Sequence, residues 1–125
     1  LRRPCAFCAY AAPVNDETRR QLGLSAAQAA RLVRGKGCEM CKDTGYLGRV
    51  GVFEVLTLTD DVHDAFVNGA STEEITTLAK AAGYLPLSVS ASRLAVEGLT
   101  TAEEILRVVG TRQRRAEAVI PLPEG

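Results

Sequence analysis

The chain has 125 residues, of which 46% are hydrophobic and 5% aromatic, so we expect a core built from Ala, Leu and Val. Its formal net charge is zero because residues 1–50 carry nine basic against four acidic side chains, residues 51–110 carry three against nine, and residues 111–125 carry three against two. The basic half is weak evidence for nucleic-acid binding, no apolar run approaches the roughly 18–20 residues of a membrane span, and no signal peptide opens the chain.

The first fifty residues are predicted to contain only short elements. Residues 1–13 are expected to be irregular, because two prolines and two close cysteines leave no room for a helix. Asn15 provides an N-cap for a short helix, which Gly23 ends. Residues 29–33 favour helix and strand almost equally, since their alanines suit a helix and the glycines that follow suit a strand.

From residue 50 the sequence pattern changes. Alternating apolar residues over 50–58 predict a strand that is covered on both faces for part of its length. Four short helices then follow, each ended by a glycine and most of them begun by a polar capping residue. The capping residues are Thr59, Ser71 and Thr101, Glu74 completes a capping box with Ser71, and the glycines are Gly69, Gly83, Gly98 and Gly110.

Together these elements predict an α+β fold. Residues 1–48 form a small four-cysteine, zinc-ribbon-like module with a short hairpin, residues 49–110 form a strand and a bundle of about four short helices, and residues 111–125 form a disordered tail. The first module has few large apolar side chains to offset the roughly 1–2 kcal/mol per residue of backbone ordering. We therefore expect metal removal to unfold residues 1–50 while the later helices persist.

The four cysteines form two Cys-x-x-Cys pairs separated by 29 residues, and they are Cys5, Cys8, Cys38 and Cys41. Both sulfurs of such a turn point to one side, so each pair supplies two corners of a tetrahedron. The glycines after the second pair, Gly45 and Gly48, allow the backbone to fold beneath the sulfurs and donate N–H groups to them. Four thiolates leave no position for a catalytic water, so the pattern predicts a structural Zn²⁺ site.

Four cysteines in this pattern have other uses as well. A cytoplasmic location disfavours two disulfides, and neither pair opens a helix in a βαβ setting as a thioredoxin-like redox pair would. A rubredoxin-like iron site has the same ligand geometry, which keeps an electron carrier open as an alternative. A free-standing zinc-ribbon module that binds protein or nucleic acid is another, although the few aromatic residues disfavour nucleic acid.

Several motifs occur in a fixed order along the chain. Cys-Ala-Phe-Cys stands at 5–8, Arg-Gly-Lys-Gly-Cys-Glu-Met-Cys at 34–41, Thr-Gly-Tyr-Leu-Gly-Arg-Val-Gly-Val-Phe-Glu at 44–54, Asn-Gly-Ala-Ser at 68–71 and Glu-Gly-Leu-Thr-Thr-Ala-Glu-Glu-Ile-Leu-Arg-Val at 97–108. This order resembles the C-terminal region of the traffic ATPases, the motors of type II secretion and type IV pilus assembly. The resemblance covers residues 1 to about 109, and the combined motifs are specific.

The resemblance implies a hexameric, RecA-like parent motor with its nucleotide site upstream of this segment. The chain begins at Leu1 rather than Met and contains no G-x-x-x-x-G-K-[ST], so we expect a non-catalytic fragment, with ATP and Mg²⁺ bound only by the upstream core. The zinc set carries over to the same four cysteines. The resemblance further implies contacts with the ATPase core, with neighbouring subunits and with an inner-membrane platform protein, and a cytoplasmic location peripheral to the inner membrane. The few aromatic residues and the acidic composition of residues 51–110 lead us to expect no direct nucleic-acid contact.

Arg49 is a further candidate site residue, because it lies close to glycines where the predicted strand begins. Its guanidinium can bind a carboxylate or a phosphate. An ion pair with Glu54 or an Asp of the next helix is the favoured interpretation, and a contact with a neighbouring subunit or a phosphate is the alternative. The glutamate pairs at 73–74 and 103–104 are typical of the first turn of a helix rather than of paired catalytic carboxylates.

Overall fold

The computed structural model of the chain describes residues 1–110. They contain four short β-strands and six α-helices, which confirms the α+β class. The described chain divides into two compact units, one formed by Leu1–Val52 together with residues 87–110, and the other by Phe53–Pro86. No helix within residues 1–110 combines the length and the apolar character needed to cross a membrane. The predicted tail at 111–125 lies outside the described residues.

The strands are β1 (Arg2–Pro4), β2 (Ala9–Ala11), β3 (Val33–Gly35) and β4 (Tyr46–Arg49). They form two antiparallel pairs, β1 with β4 and β2 with β3. The prediction that residues 1–13 are irregular is therefore wrong, because strands from later in the chain supply hydrogen-bond partners that the local sequence does not reveal. The strand predicted over residues 50–58 is also wrong, because residues 50–59 are neither helix nor strand and β4 ends at Arg49.

The helices are α1 (Asp16–Leu22), α2 (Ala26–Ala29), α3 (Asp60–Val67), α4 (Thr72–Ala81), α5 (Leu87–Val96) and α6 (Ala102–Val108). Their N-termini confirm the capping predictions, since each capping side chain accepts a hydrogen bond from a backbone N–H three residues later. The predicted caps are Asn15, Thr59, Ser71 and Thr101, and Ser25 caps α2 in the same way. The ambiguous stretch at 29–33 contains the end of α2 and the start of β3.

The apolar core of the first unit joins the cysteine-bearing segment, residues 1–49, to the helices α5 and α6. Its buried residues are Leu22, Leu24, Leu32, Ala91, Ala95, Ala102 and Ile105. The leucines precede the second cysteine pair in sequence, and the other four residues belong to α5 and α6. We therefore expect α5 and α6 to depend on the cysteine-bearing segment for burial, while the predicted domain boundary between residues 48 and 49 stays a prediction.

The second unit, Phe53–Pro86, is built around α3 and α4. Val62 of α3 and Ala79 of α4 are its buried apolar residues. The hydroxyl of Tyr84 donates a hydrogen bond to the carboxylate of Glu54 within the same unit. The large apolar side chains of residues 53–58 are exposed. Their alternating pattern therefore does not correspond to a strand covered on both faces.

Candidate metal centre

Two loops carry the four cysteines, and strand pairing brings these loops together. The first loop connects β1 to β2 and contains Cys5 and Cys8, and the second connects β3 to β4 and contains Cys38 and Cys41. In the antiparallel register Pro4 lies opposite Tyr46 and Ala9 opposite Gly35, so the loop ends of the two pairs are neighbours. The sequence prediction that two distant Cys-x-x-Cys turns face one another therefore agrees with this topology.

The four sulfurs have the spacing of a tetrahedral metal site. The Sγ–Sγ distance is 3.8 Å for Cys5 and Cys38, 3.8 Å for Cys8 and Cys41, and 3.7 Å for Cys38 and Cys41. All four Sγ atoms lie within 4.8 Å of one another. A Zn–S bond of about 2.3 Å implies neighbouring sulfurs about 3.8 Å apart, whereas a disulfide requires about 2.05 Å. The cysteines are unbridged, and their geometry fits a tetrahedral ion.

Backbone N–H groups point at two of these sulfurs. The N–H of Gly37 donates to Cys8 Sγ at 3.2 Å, and those of Cys38 and Gly45 donate to Cys41 Sγ at 3.2 and 3.3 Å. Burial raises the pKa of the Cys41 thiol, but donation from Cys38 and Gly45 outweighs it and lowers that pKa to about 6. Burial raises the pKa of the Cys8 thiol to about 11, although donation from Gly37 acts in the opposite direction. Such donors stabilise thiolates that hold a metal.

The two loops approach so closely that glycine is required at the crossing. A Cβ on Gly35 would lie 1.9 Å from the carbonyl oxygen of Gly45, and one on Gly45 would lie 2.6 Å from the carbonyl oxygen of Gly35. The same Gly45 oxygen accepts a hydrogen bond from the N–H of Cys5 at 2.9 Å. Backbone contact between residues 35 and 45 thus sets the distance between the first and second cysteine loops.

A buried carboxylate supports the strand that leads into the first loop. The Glu104 side chain is 1% exposed, and it accepts from Arg2 Nε at 2.9 Å and Arg107 Nη2 at 2.7 Å. Burial raises the pKa of Glu104, but the donors of Arg107 and Arg2 outweigh it and lower that pKa to about 2. The sequence places this residue only in the first turn of a helix, because no local signal reveals a partner 102 residues away.

Further contacts attach β1 and β4 to the start of α6. The Tyr46 hydroxyl and Thr101 Oγ1 are 2.8 Å apart, and the Arg2 guanidinium lies 4.0 Å from the centroid of the Tyr46 ring. Thr100 Oγ1 donates to the carbonyl oxygen of Arg2 at 3.0 Å. Thr100 and Thr101 are both buried. The cysteine loops are therefore carried by strands that α6 holds through side-chain hydrogen bonds.

Arg49 is the exposed last residue of β4. Within the described part of its own unit, the arginines that form ion pairs are Arg2, Arg19, Arg34 and Arg107, and Arg49 is not among them. Glu54, its favoured partner on sequence grounds, belongs to the other unit. The function of Arg49 stays a prediction.

Comparison with known proteins supports the resemblance seen in the motifs. The family model described as Type II/IV secretion system protein matches residues 1–107. Type IV pilus assembly ATPase PilB of Thermus thermophilus is 42% identical over 108 residues, which cover 85% of this chain and 12% of that protein. Type II secretion system protein E of Klebsiella pneumoniae is 36% identical over 120 residues, which cover 94% of this chain and 23% of that protein.

A protein of the same description from Pseudomonas aeruginosa is 32% identical over 108 residues, which cover 86% of this chain and 21% of that protein. The chain thus spans less than a quarter of the length of each of these three relatives. The family match nevertheless extends over both cysteine pairs and the helices α1 to α5 and most of α6. The chain belongs to the Type II/IV secretion system protein family.

Proposed function

We propose that this chain is the metal-binding arm (residues 1–48) and the helical portion (residues 49–110) of a type II secretion or type IV pilus assembly ATPase. A structural Zn²⁺ is held in the arm by Cys5, Cys8, Cys38 and Cys41. The observation that carries the proposal is the set of sulfur distances, which are 3.8 Å between the two cysteine loops and 3.7 Å within the second loop. A bound Zn²⁺ supplies a cross-link between these loops and, with four thiolates, a local charge of about −2. Lys36 and Lys42, both exposed, lie in the second loop and offset part of this charge.

In the proposed parent protein, ATP and Mg²⁺ bind to an upstream core, and the parent works as a cytoplasmic hexamer at the inner membrane. Residues 1–110 give the parent protein a rigid support and an exposed surface for docking. Strand pairing and the Glu104 contacts hold the cysteine loops in place, so the arm can dock on the upstream core, on a neighbouring subunit and on a membrane platform protein. The matched relatives described as assembly ATPases and secretion proteins support this assignment.

Metal analysis of the purified chain tests the zinc site. We expect about one zinc per chain by elemental mass spectrometry, no visible absorbance, and loss of zinc in Cys8→Ser and Cys41→Ser. Asp43→Asn is the matched control, because Asp43 lies in the second loop, is exposed and has a left-handed φ of 62° that Asn tolerates. Bound iron, together with a visible absorption band from its thiolate ligands, would instead identify a rubredoxin-like electron carrier. A chain that contains no metal would refute the site.

The docking role is tested in the full-length parent protein. We expect Cys5→Ser combined with Cys38→Ser to abolish co-purification with the inner-membrane platform protein, while nucleotide binding by the upstream core is retained. Asp43→Asn in the otherwise unmodified full-length parent is the control and is expected to leave co-purification unchanged. Retained co-purification in a demonstrably zinc-free double variant would contradict docking through the arm.

We also propose that Arg49 reaches a neighbouring subunit. Its exposure at the end of β4 supports this role, since a guanidinium can bind a carboxylate or phosphate bidentately. Arg49→Ala in the hexameric parent should lower the rate of ATP hydrolysis without changing zinc content. Arg31→Ala, which removes another exposed arginine of the same unit, is the control. Equal rates in both variants and the unmodified parent would refute the contact.

A further inference from the structure

The unit Phe53–Pro86 combines a strongly acidic composition with exposed apolar side chains. Six carboxylates stand against the single cation Lys80, and they are Glu54, Asp60, Asp61, Asp64, Glu73 and Glu74. Two large apolar residues near the end of α3, Phe66 and Val67, are 50% and 71% exposed. Exposed apolar surface bordered by charge of one sign is typical of an interaction site.

An open groove lies between α3 and α4 of this unit. It has a volume of about 500 Å³ and is lined by Ala65, Ala70, Glu74, Thr77 and Leu78. The turn between the helices is closed by a hydrogen bond from the N–H of Ala70 to the carbonyl oxygen of Ala65 at 2.9 Å. Alanine, threonine and leucine side chains give the groove an apolar floor, and its small residues allow a partner to approach the helix backbones closely.

Carboxylates border this floor. Asp61 precedes Ala65 by four residues on α3, and Glu73 precedes Thr77 by four residues on α4, so each lies on the same helix face as a lining residue. Both acids are exposed, and neither forms an ion pair within the described residues of this unit. Glu74 lines the groove and uses one carboxylate oxygen, Oε2, to accept from the N–H of Ser71 at 3.2 Å.

We propose that the groove between α3 and α4 binds a basic amphipathic helix of a partner protein. Apolar side chains of that helix enter the floor at Ala65, Ala70 and Leu78, and its Lys or Arg residues meet Asp61 and Glu73 at the rim. This is the helix-in-groove mode of recognition, with charge complementarity selecting the partner. The acidic rim repels anionic lipid surfaces and acidic peptides. The proposal does not depend on the metal site.

Amide chemical shifts of the intact 125-residue chain test the proposal directly. The probe is a peptide of about 14 residues with Leu and Lys at helical spacing, and the matched probe replaces every Lys by Glu. The Lys peptide should shift the amides of Ala65, Ala70 and Thr77, and its affinity should fall as salt is added. The Glu peptide should bind at least about tenfold more weakly. Equal binding of both peptides, or shifts confined to other residues, would overturn the proposal.

Substitutions in the groove provide an independent readout. Thr77→Lys places a cation on the floor and should weaken the Lys peptide by about tenfold or more. The double variant Asp61→Asn, Glu73→Gln keeps the shape and should weaken it about fivefold and reduce its salt dependence. Glu97→Gln removes an exposed carboxylate from the other unit and should change nothing.

Circular dichroism verifies that each variant is folded, and the double variant remains informative if Thr77→Lys is not. Unchanged affinity in a folded double variant would overturn the proposal. A second outcome would also overturn it: the Lys peptide does not bind, but the chain self-associates and Thr77→Lys abolishes that self-association. A second copy of the chain would then be the occupant of the groove.

Discussion

The carboxylate of Glu104 lies 2.8 Å from the guanidinium of Arg2, and this ion pair joins the last described helix to the first strand. The backbone N–H of Arg2 donates to the same carboxylate at 3.1 Å. Because Arg2 also stacks on Tyr46, the contact fixes both strands of the β1–β4 pair against α6. The position of the cysteine loops therefore depends on a side chain that is far from them in sequence.

Replacing Glu104 by Gln should destabilise the first unit. The substitution keeps the shape and removes the charge that the two arginines neutralise, and we expect a loss of about 1–3 kcal/mol in the free energy of unfolding. The loss stays moderate because the Arg2 and Arg107 side chains are 43% and 59% exposed. Denaturant unfolding followed by circular dichroism measures it.

Glu103→Gln is the matched control for this experiment. Glu103 is the adjacent residue, its side chain is 47% exposed, and it pairs with Arg34 at 3.3 Å. Surface pairs of this kind contribute about 0–1 kcal/mol, so Glu103→Gln should cost clearly less. Equal losses in the two variants would show that burial of Glu104 confers no special stability.

Stability should depend on pH through Glu104. Its pKa is lowered in the folded chain from 4.5 to about 2, so the folded state favours the carboxylate more than the unfolded state does. The resulting stabilisation is complete above about pH 5.5 and is lost as the pH falls from there to about 2, by roughly 3 kcal/mol in total. The Glu104→Gln variant lacks this pH-dependent stabilisation. The difference in free energy of unfolding between the unmodified chain and the variant should therefore shrink as the pH falls over that range.

Unfolding titrations of both proteins at several pH values measure the difference. Acid release of a metal from the cysteines contributes equally to both proteins and cancels in the comparison. A difference that stays constant from pH 6 to pH 2 would show that the carboxylate has an ordinary pKa.

Metal removal should affect more of the chain than the cysteine-bearing segment. Leu22, Leu24 and Leu32 share a core with Ala91 of α5 and Ile105 of α6, so unfolding of the cysteine loops exposes apolar surface on these helices as well. We expect a zinc chelator to accelerate amide hydrogen exchange in residues 87–108 together with residues 1–49. Exchange in 87–108 that is indifferent to the chelator would instead support the expectation, drawn from sequence alone, that the later helices persist.

Replacing Gly35 by Ala should disrupt the cysteine loops. The new Cβ would overlap the backbone oxygen of Gly45 at 1.9 Å, which only a backbone shift can relieve, so we expect a loss of more than about 3 kcal/mol together with weaker metal binding. Competition with a chromogenic zinc chelator measures the affinity.

Gly69→Ala provides the control for that substitution. Gly69 has a φ of 71°, and a Cβ added there would meet no neighbouring heavy atom within 4 Å, so its replacement incurs only the left-handed backbone penalty of about 1–2 kcal/mol. Its zinc affinity should equal that of the unmodified chain. If Gly35→Ala proves as mild as Gly69→Ala, the close approach of the two loops does not control the site.

Local sequence was sufficient for the helices and for the two cysteine pairs that the fold brings together. A cap such as Ser71 with Glu74 acts over three residues, and the structure contains both of its reciprocal hydrogen bonds. The Cys-x-x-Cys spacing is equally local, and the four sulfurs do lie together. The alternation from residue 50 onward was misleading, because alternation indicates how a strand would present its side chains and supplies no partner strand.

The sequence by itself determined the helix ends, the α+β class and the four clustered cysteines, since each depends on residues a few positions apart or on the identity of the side chain. Only the tertiary structure decided which strands pair, that Gly35 and Gly45 touch, and that Glu104 is a buried partner of Arg2 rather than an ordinary first-turn acid. These relationships join residues from about ten to about a hundred positions apart, beyond the reach of local patterns, and they form because burial and hydrogen bonding together offset the entropy of closing the intervening loops.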